Sequence, residues 1–397
     1  MRANPFISNG REALIVEALR TPFGRSHPER GWYRDVHPNV ILGSVYTALL
    51  ESTGLAPALV EDLIIGCTAP FGEQSRNIAR NAWLQAGYPP EVPGTVLDRR
   101  CGSAQTAVEM AAALVASGTH DLVIAGGVEH MGHVPMSAVG AIEETYGVAW
   151  PPALRERYDF VGQGESAELI ADKWSISRQA MDEFAVRSHR LATEALAGGR
   201  FDREMIPLEL DGEIRRSDQA IRPETSLETL AGLKTVFRPE DGRVTAGTSS
   251  PICDGAAGLM MASREAAAAH GLRPRARILD QTTVGVDPII MLTGPIPATR
   301  RLLERNGMTM NDIDIVEINE AFSSVVLAWE HELQPDMDRV NVNGGAIALG
   351  HPVGATGARL IATALAELER RDAEIALVTM CCGGGLGTAT LIQRVEG

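Results

Sequence analysis

Two adjacent cysteines, Cys381 and Cys382, close an apolar run in TMCCGGG and are followed by three glycines. Sulfur in that setting could bind a metal, switch redox state, pack, or catalyse. Neighbouring side chains on a strand point to opposite faces. Only one of the pair can therefore enter a given pocket, and a bridge between them would be strained. A third cysteine, Cys101, follows the strand-like GTVLDRR and opens the helical CGSAQTAVEMAAALVASG. At a helix N-terminus the dipole and free N–H groups favour a thiolate, so the expectation is a nucleophile with a lowered pKa. The competing reading is a small buried hydrophobe.

His351 occupies a comparable outlet, after NVNGGAIALG and before Pro352, a residue suited to a first helical turn. A neutral imidazole there can activate a thiol or donate to a developing oxyanion. Five glycines between 344 and 357 permit close backbone approach to a ligand. Asn319, in INEAF, ends a buried strand and could hold a water or an oxyanion, or simply form a turn. A second thiol near Cys101, at Cys381, offers an acid/base with a pKa near neutrality. The glycines after it offer N–H donors.

Two halves with the same order of elements must deliver these groups. In the first, EALIVEALRTPFG, VEDLIIGCTAP, GTVLDRR and HDLVIAGG read as strands, with helices over HPNVILGSVYTALLESTG and from Cys101 onward. In the second, RARILDQTTVG, IDIVEINEAF, RVNVNGGAIALG and EIALVTMCCGGG read as strands. PIPATRRLLERNG and HPVGATGARLIATALAELER read as helices, and LGTATLIQRV as a closing antiparallel strand. Apolar strands alternating with helices imply parallel, helix-covered sheets. The expected fold is α/β: two pseudo-symmetric units in a five-layered α/β/α/β/α body, plus an inserted loop domain. Residues 1–130 with 253–275 form the first unit, 131–252 the insertion over the site, and 276–397 the second unit. Matched outlets at the carboxyl ends of the strands are where such sheets bind ligands.

The net charge of −15 argues against nucleic acid and anionic membrane partners. Of 36 basic residues 34 are arginine, and neither Lys173 nor Lys234 lies in a phosphate-loop pattern. None of the five cysteines shows C-x-x-C spacing, so a structural metal or disulfide framework is not expected. Glu129-His130-Met131-Gly132-His133 is not H-E-x-x-H and has no evident third ligand. MRANPFISNGREALIVEALR lacks an apolar core of signal-peptide length, no run reaches about 20 apolar residues, and QRVEG is no address tag. A cytoplasmic location with reduced cysteines is the expectation.

Three stretches together, CGSAQTA, NEAF with GGAIALGHPVGATGAR, and CCGGG, resemble the thiolase family of acetyl-CoA C-acyltransferases across essentially the whole chain. The resemblance implies that Cys101 accepts the acyl group and that His351 activates it. His351, with a water held by Asn319, would form one oxyanion hole, and the backbone N–H groups of Cys101 and Gly383 the other. Cys381 would be the acid/base, and Cys382 a packing residue. By the same resemblance Ser250 contacts pantetheine, Arg222 lies near the nucleotide end of CoA, and Met291 lines the acyl pocket. Acyl-CoA and CoA would be the ligands, with no tightly bound cofactor and a homodimer or homotetramer as the assembly.

The chain departs from the short-chain biosynthetic pattern at Gly162 and Gln163, where a His-Met pair is typical. That disfavours acetoacetyl-CoA and suggests a different or larger acyl group. FGEQSRNIARNAWLQAGYPPEVPG and MLTGPIPATR look like degradative bacterial members, including some that act on steroid-derived acyl-CoAs. The leading expectation is thiolytic cleavage of a 3-oxoacyl-CoA to acetyl-CoA or propionyl-CoA in β-oxidation. The alternatives are acetoacetyl-CoA synthesis, a condensing synthase, and a non-catalytic acyl-CoA or lipid-binding protein. Condensing synthases pair the cysteine with two histidines or with His and Glu.

Overall fold

The computed structural model describes residues 11–395. The readings of residues 1–10 as lacking a signal core and of the last two residues as no tag lie outside them. The first-unit strands are β1 (Leu14–Arg20), β2 (Gly24–Arg25), β3 (Asp62–Gly66), β4 (Thr95–Leu97) and β5 (Leu122–His130). The inserted segment carries the hairpin β6 (Leu208–Leu210) and β7 (Glu213–Arg215). β8 (Cys253–Ala262) then returns to the first unit. The second unit supplies β9 (Ala276–Gly285), β10 (Ile315–Ile318), β11 (Ile375–Cys382) and β12 (Leu386–Arg394).

The strand order is β10-β11-β12-β9-β1-β8-β5-β3-β4. It is two five-strand patterns joined edge to edge. In the first, β4, β3 and β5 are parallel, and β8 and β1 follow antiparallel. In the second, β10 and β11 are parallel, and β12 and β9 follow antiparallel. A bridge from Val316 to Val340 stands where the fifth strand would be. β1 and β9 touch only at Leu14–Arg277 and Ile15–Ala276, so the halves share an edge rather than a long ladder.

Helices fill the layers. α1 (Pro38–Thr53) and α2 (Ile78–Gln85) cover the outer face of the first sheet and share one apolar core with it. α3 (Ser103–Ser117) lies on its inner face. The insertion adds α4 (Ala138–Tyr146), α5 (Pro152–Arg155), α6 (Gln163–Lys173), α7 (Arg178–Ala197) and α8 (Leu227–Ala231). α9 (Arg264–Ala269) follows β8. α10 (Pro295–Asn306) and α11 (Ser323–Leu333) cover the outer face of the second sheet. The short α12 (Ala346–Leu349) precedes α13 (Thr356–Arg371). α3 and α13 pack against each other in the middle, inside a core drawn from both sheets. The five layers expected from the alternation are therefore present.

Two local expectations are corrected. RVNVNGGAIALG is not a strand, because Asn341 (φ 44°) and Gly344 (φ 74°) leave the extended region. Asn341 replaces the missing ladder with its side chain. Its Oδ1 accepts from Ile318 N–H at 2.8 Å and its Nδ2 donates to Ile318 O at 2.9 Å. The helix expected from His351 begins only at Thr356, and residues 351–355 form a turn closed by Ala355 N–H and Thr356 N–H on Pro352 O.

The central layer also holds a fully buried ion pair, Arg359 Nη1 to Glu317 Oε2 at 3.1 Å. Arg359 Nε and Nη2 and Glu317 Oε1 have no further partners. Burial works against both charges. Removing one partner strands the other in the core, which typically costs about 3–5 kcal/mol. Arg359→Met is expected to lower stability by about that amount in urea unfolding. The double variant with Glu317→Met should recover most of it. A single variant as stable as the parent would show that the pair carries no such load.

Candidate active site

The nucleophile candidate sits in a tight elbow. Arg100 adopts φ 52°, uncommon for a residue with a Cβ, and turns the chain sharply between β4 and α3. Ser103 locks the turn: its Oγ accepts from Arg99 N–H at 2.8 Å and donates to Arg100 O at 2.6 Å. Cys101 therefore lies two residues before α3 rather than at its first residue. A Cβ on Gly102 would meet Cys382 Sγ at 2.6 Å, so only glycine lets β11 come this close.

Cys101 and His351 line one cavity of about 650 Å³. Its other walls are largely apolar: Met131, Met136, Phe237, Ile252, Phe322 and Val353. Ser250 and Gln163 also face it. Ser250 is held to the NEAF outlet by its N–H on Ala321 O at 3.0 Å.

His351 is oriented by a relay. Thr356 Oγ1 donates to Pro352 O at 2.8 Å and stands 2.7 Å from His351 Nδ1. With the hydroxyl proton so used, Thr356 accepts, which puts the imidazole proton on Nδ1. The lone pair is then on Nε2. Burial, helped by the charge of Arg359, pushes the imidazole down to about 3, so it is neutral at physiological pH. Asn319 Nδ2 stands 3.5 Å from Nε2, too long for a strong bond. Asn319 Oδ1 is buried without a hydrogen-bond partner. An amide in that state suits a bridging water.

The thiols do not have the acidity expected of them. Burial pushes Cys101 up to about 11, against the downward pull of the N–H groups of Gly383 and of Cys101 itself. Burial and the neighbouring Cys101 charge also push Cys381 up. The expectations of a helix-lowered nucleophile and a near-neutral acid/base are corrected: desolvation outweighs the helix terminus here. The N–H of Gly383 reaches the Cys101 sulfur, and the Cys101 charge acts on both thiols of the pair, Cys381 and Cys382. The adjacent cysteines separate as β11 alternation requires. Cys382 packs in the central layer, while Cys381 packs with Met291, Ala321 and Phe322.

A high Cys101 pKa makes a checkable statement about pH. The thiol stays protonated below about 11, so its reactivity climbs with pH in the ligand-free protein. Iodoacetamide labelling at Cys101, followed by peptide mass, is expected to rise by about tenfold per pH unit from 7 to 10. A plateau reached below pH 8 would contradict the assigned environment.

Five of the residues singled out in the sequence are not in the cavity wall: Asn319, Cys381 and Gly383, and also Met291 and Arg222. Met291 lies behind it, accepting from Gly384 N–H through its sulfur at 3.4 Å and packing on Cys381. Arg222 is exposed, its N–H on His189 Nδ1 at 3.2 Å. It lies near Arg25, whose β2 strand pairs with the start of β8.

Sequence reasoning missed the groups that hold the outlets together. Glu129, weighed only as a loose metal ligand, accepts from Thr68 N–H (2.8 Å), Gly354 N–H (2.9 Å) and Gln74 Nε2 (2.9 Å). It thereby ties the first unit to the His351 turn. A Cβ on Gly127 would strike Gly354 O at 1.9 Å, so the two backbones touch there. Glu320 accepts from Ser188 Oγ (2.6 Å), Asn341 Nδ2 (2.9 Å) and Ile347 N–H (3.1 Å), pinning the insertion to the second unit. A carboxylate next to a candidate catalytic residue in an apolar strand was the available signal. Among the described residues no cluster of three or more His, Cys, Asp or Glu could hold a metal ion.

Comparison with known proteins agrees with this geometry. Residues 13–265 match the thiolase N-terminal domain and residues 272–394 the thiolase C-terminal domain. The chain is 44% identical over 402 residues to the steroid 3-ketoacyl-CoA thiolase FadA6 of Mycobacterium tuberculosis, covering 98% of this chain and 97% of that one. It is 43% identical to a 3-ketoacyl-CoA thiolase of Shewanella loihica, covering 97% and 100%. The crystal structure of the Bacillus anthracis acetyl-CoA acetyltransferase superposes with a TM-score of 0.88 at 36% identity, covering 97% and 99%. Two family models that together span residues 13–394, and relatives matched over nearly the full length, place this chain in the thiolase family.

Proposed function

We propose that the chain cleaves a 3-oxoacyl-CoA with CoA, releasing acetyl-CoA or propionyl-CoA and a shortened acyl-CoA. The observation that carries the reading is that Cys101 and His351 line one largely apolar cavity while the Gly383 N–H reaches the Cys101 sulfur. Cys101 gives its proton to His351 Nε2 as its sulfur attacks the 3-keto carbon. The N–H groups of Cys101 and Gly383 receive the oxyanion. The C2–C3 bond then breaks, leaving an acyl group on Cys101 and a thioester enolate. His351, now protonated, and the water on Asn319 stabilise the enolate oxygen, while Cys381 delivers its proton to C2. CoA enters and gives its thiol proton to the Cys381 thiolate, and its sulfur takes the acyl group. Cys101 leaves as thiolate and recovers its proton from His351. Neutral resting thiols fit this cycle, because each proton moves only when its acceptor is in place.

Ser250 on the cavity wall would meet pantetheine, and Arg222 beside Arg25 the phosphates of CoA. Met291 would shape the acyl pocket from behind by backing Cys381. Acyl-CoA and CoA are the ligands, and no step calls for a tightly bound cofactor. We assign 1–130 with 253–275, 131–252 and 276–397 as the three structural parts. A homodimer or homotetramer is our reading of the assembly, because β4 ends the sheet with an unpaired edge among the described residues. No described helix is long and apolar enough to cross a membrane, and we place the protein in the cytoplasm.

The FadA6 relative carries "steroid" in its name, and the cavity walls here are mainly apolar. Against CoA and a series of 3-oxoacyl-CoAs of graded bulk, branched or ring-bearing acyl groups are expected to exceed acetoacetyl-CoA in kcat/KM by at least about tenfold. No acetyl-CoA or propionyl-CoA release from any member would overturn the reading. Preference for acetoacetyl-CoA would overturn the acyl-group assignment alone.

A further inference from the structure

One polar group at the cavity has no assigned work. Gln163 lines the same wall as Cys101, and among the described residues its amide has no hydrogen-bond partner. Its polar neighbours are occupied: Glu165 is paired with Arg238, and Ser249 Oγ donates to Thr245 O at 2.7 Å. Half-buried and free of protein partners, this amide is available to a ligand that enters the cavity.

Its place narrows what that ligand group is. Gln163 is the first residue of α6, and Gly162 before it is extended. That geometry turns the Gln163 side chain toward Gly383. A Cβ on Gly383 would end 2.9 Å from Gln163 Nε2 and 3.8 Å from Arg100 Cγ. The amide therefore hangs over the same glycine whose N–H reaches the Cys101 sulfur. A methionine of the same length could fill the space but could not donate.

We propose that Gln163 Nε2–H is a third donor at the acyl-side oxyanion hole, beside the N–H groups of Cys101 and Gly383. Resting on the thiolytic reading above, this makes Gln163 a catalytic residue that touches the C3 oxygen of the 3-oxoacyl group. It donates while the oxygen is a ketone, more strongly when it is an oxyanion, and again when it is the carbonyl of acyl-Cys101. No proton is transferred and no bond of Gln163 changes.

The test uses Gln163→Met and Gln163→Glu in the full chain. Gln163→Met is expected to lower kcat about 10–100-fold with KM changed less than about threefold, the signature of a donor felt mainly in the transition state. Gln163→Glu should fall further, because a carboxylate faces the oxyanion. A second readout does not depend on turnover. Acetyl-Cys101, formed from acetyl-CoA labelled at the carbonyl, should show a carbonyl infrared band at lower frequency in the parent than in Gln163→Met. An unmoved band together with parental kcat overturns the role of Gln163, as does an effect confined to KM. If the parent forms no acyl-enzyme at all, the reaction assignment itself falls, and this inference with it.

Discussion

Cys101→Ala is expected to lose roughly 10⁴-fold or more in cleavage rate, with CoA binding retained. The magnitude follows from what the residue does: without the sulfur there is no covalent intermediate, and only binding and the oxyanion donors remain. The fold has little reason to respond. Cys101 is 2% exposed and its elbow is held by Ser103 and Arg100, not by the thiol. Measurement of kcat beside CoA affinity by calorimetry separates the two. Retained turnover would remove Cys101 from the mechanism, and lost CoA binding would make its role structural.

Cys381→Ala is expected to cost about 10²–10⁴-fold in kcat, the range for losing a positioned acid/base. It should slow both half-reactions, since the same thiol protonates the departing carbon and later accepts the CoA proton. Cys382→Ala is the matched control. Cys382 packs in the central layer against Cys101 and the α3–α13 core, so its loss should change kcat by less than about fivefold. Stopped-flow acylation and single-turnover deacylation would resolve the halves. A Cys382 variant as damaged as the Cys381 variant would reverse the assignment of the pair.

The architecture was legible because period and punctuation agreed. Apolar runs such as DLIIG and IALVTMCC could only be buried strands, and Gly54 and Gly307 ended their helices in the left-handed region as expected. The repeated order exposed the two units. The 339–350 stretch misled because its apolar residues read as a strand, whereas Asn341 and Gly344 bend the chain and a side chain supplies the missing hydrogen bonds.

At the site, residue identities were legible and their acidities were not. Cysteine at a strand-to-helix turn names a nucleophile, but the pKa depends on desolvation by distant segments. For Cys101 those segments come from both halves of the chain. Glu129 and Glu320 went unread for the same reason. Their partners lie as far off as Gly354 and Ser188, and a carboxylate in an apolar strand signals that it must be paired without naming the loops it holds. Thr356 belongs with them, because its role depends on a turn inserted between His351 and α13.

Between the two half-reactions the acyl group rests on the sulfur of Cys101. Incubation with a 3-oxoacyl-CoA in the absence of free CoA, acid quench and peptide mass analysis locate it. The acyl mass is expected on the peptide bearing Cys101, absent from Cys381 and Cys382, and removed by added CoA. An acyl group found on either cysteine of the β11 pair, or turnover with no acylated peptide, would contradict that placement.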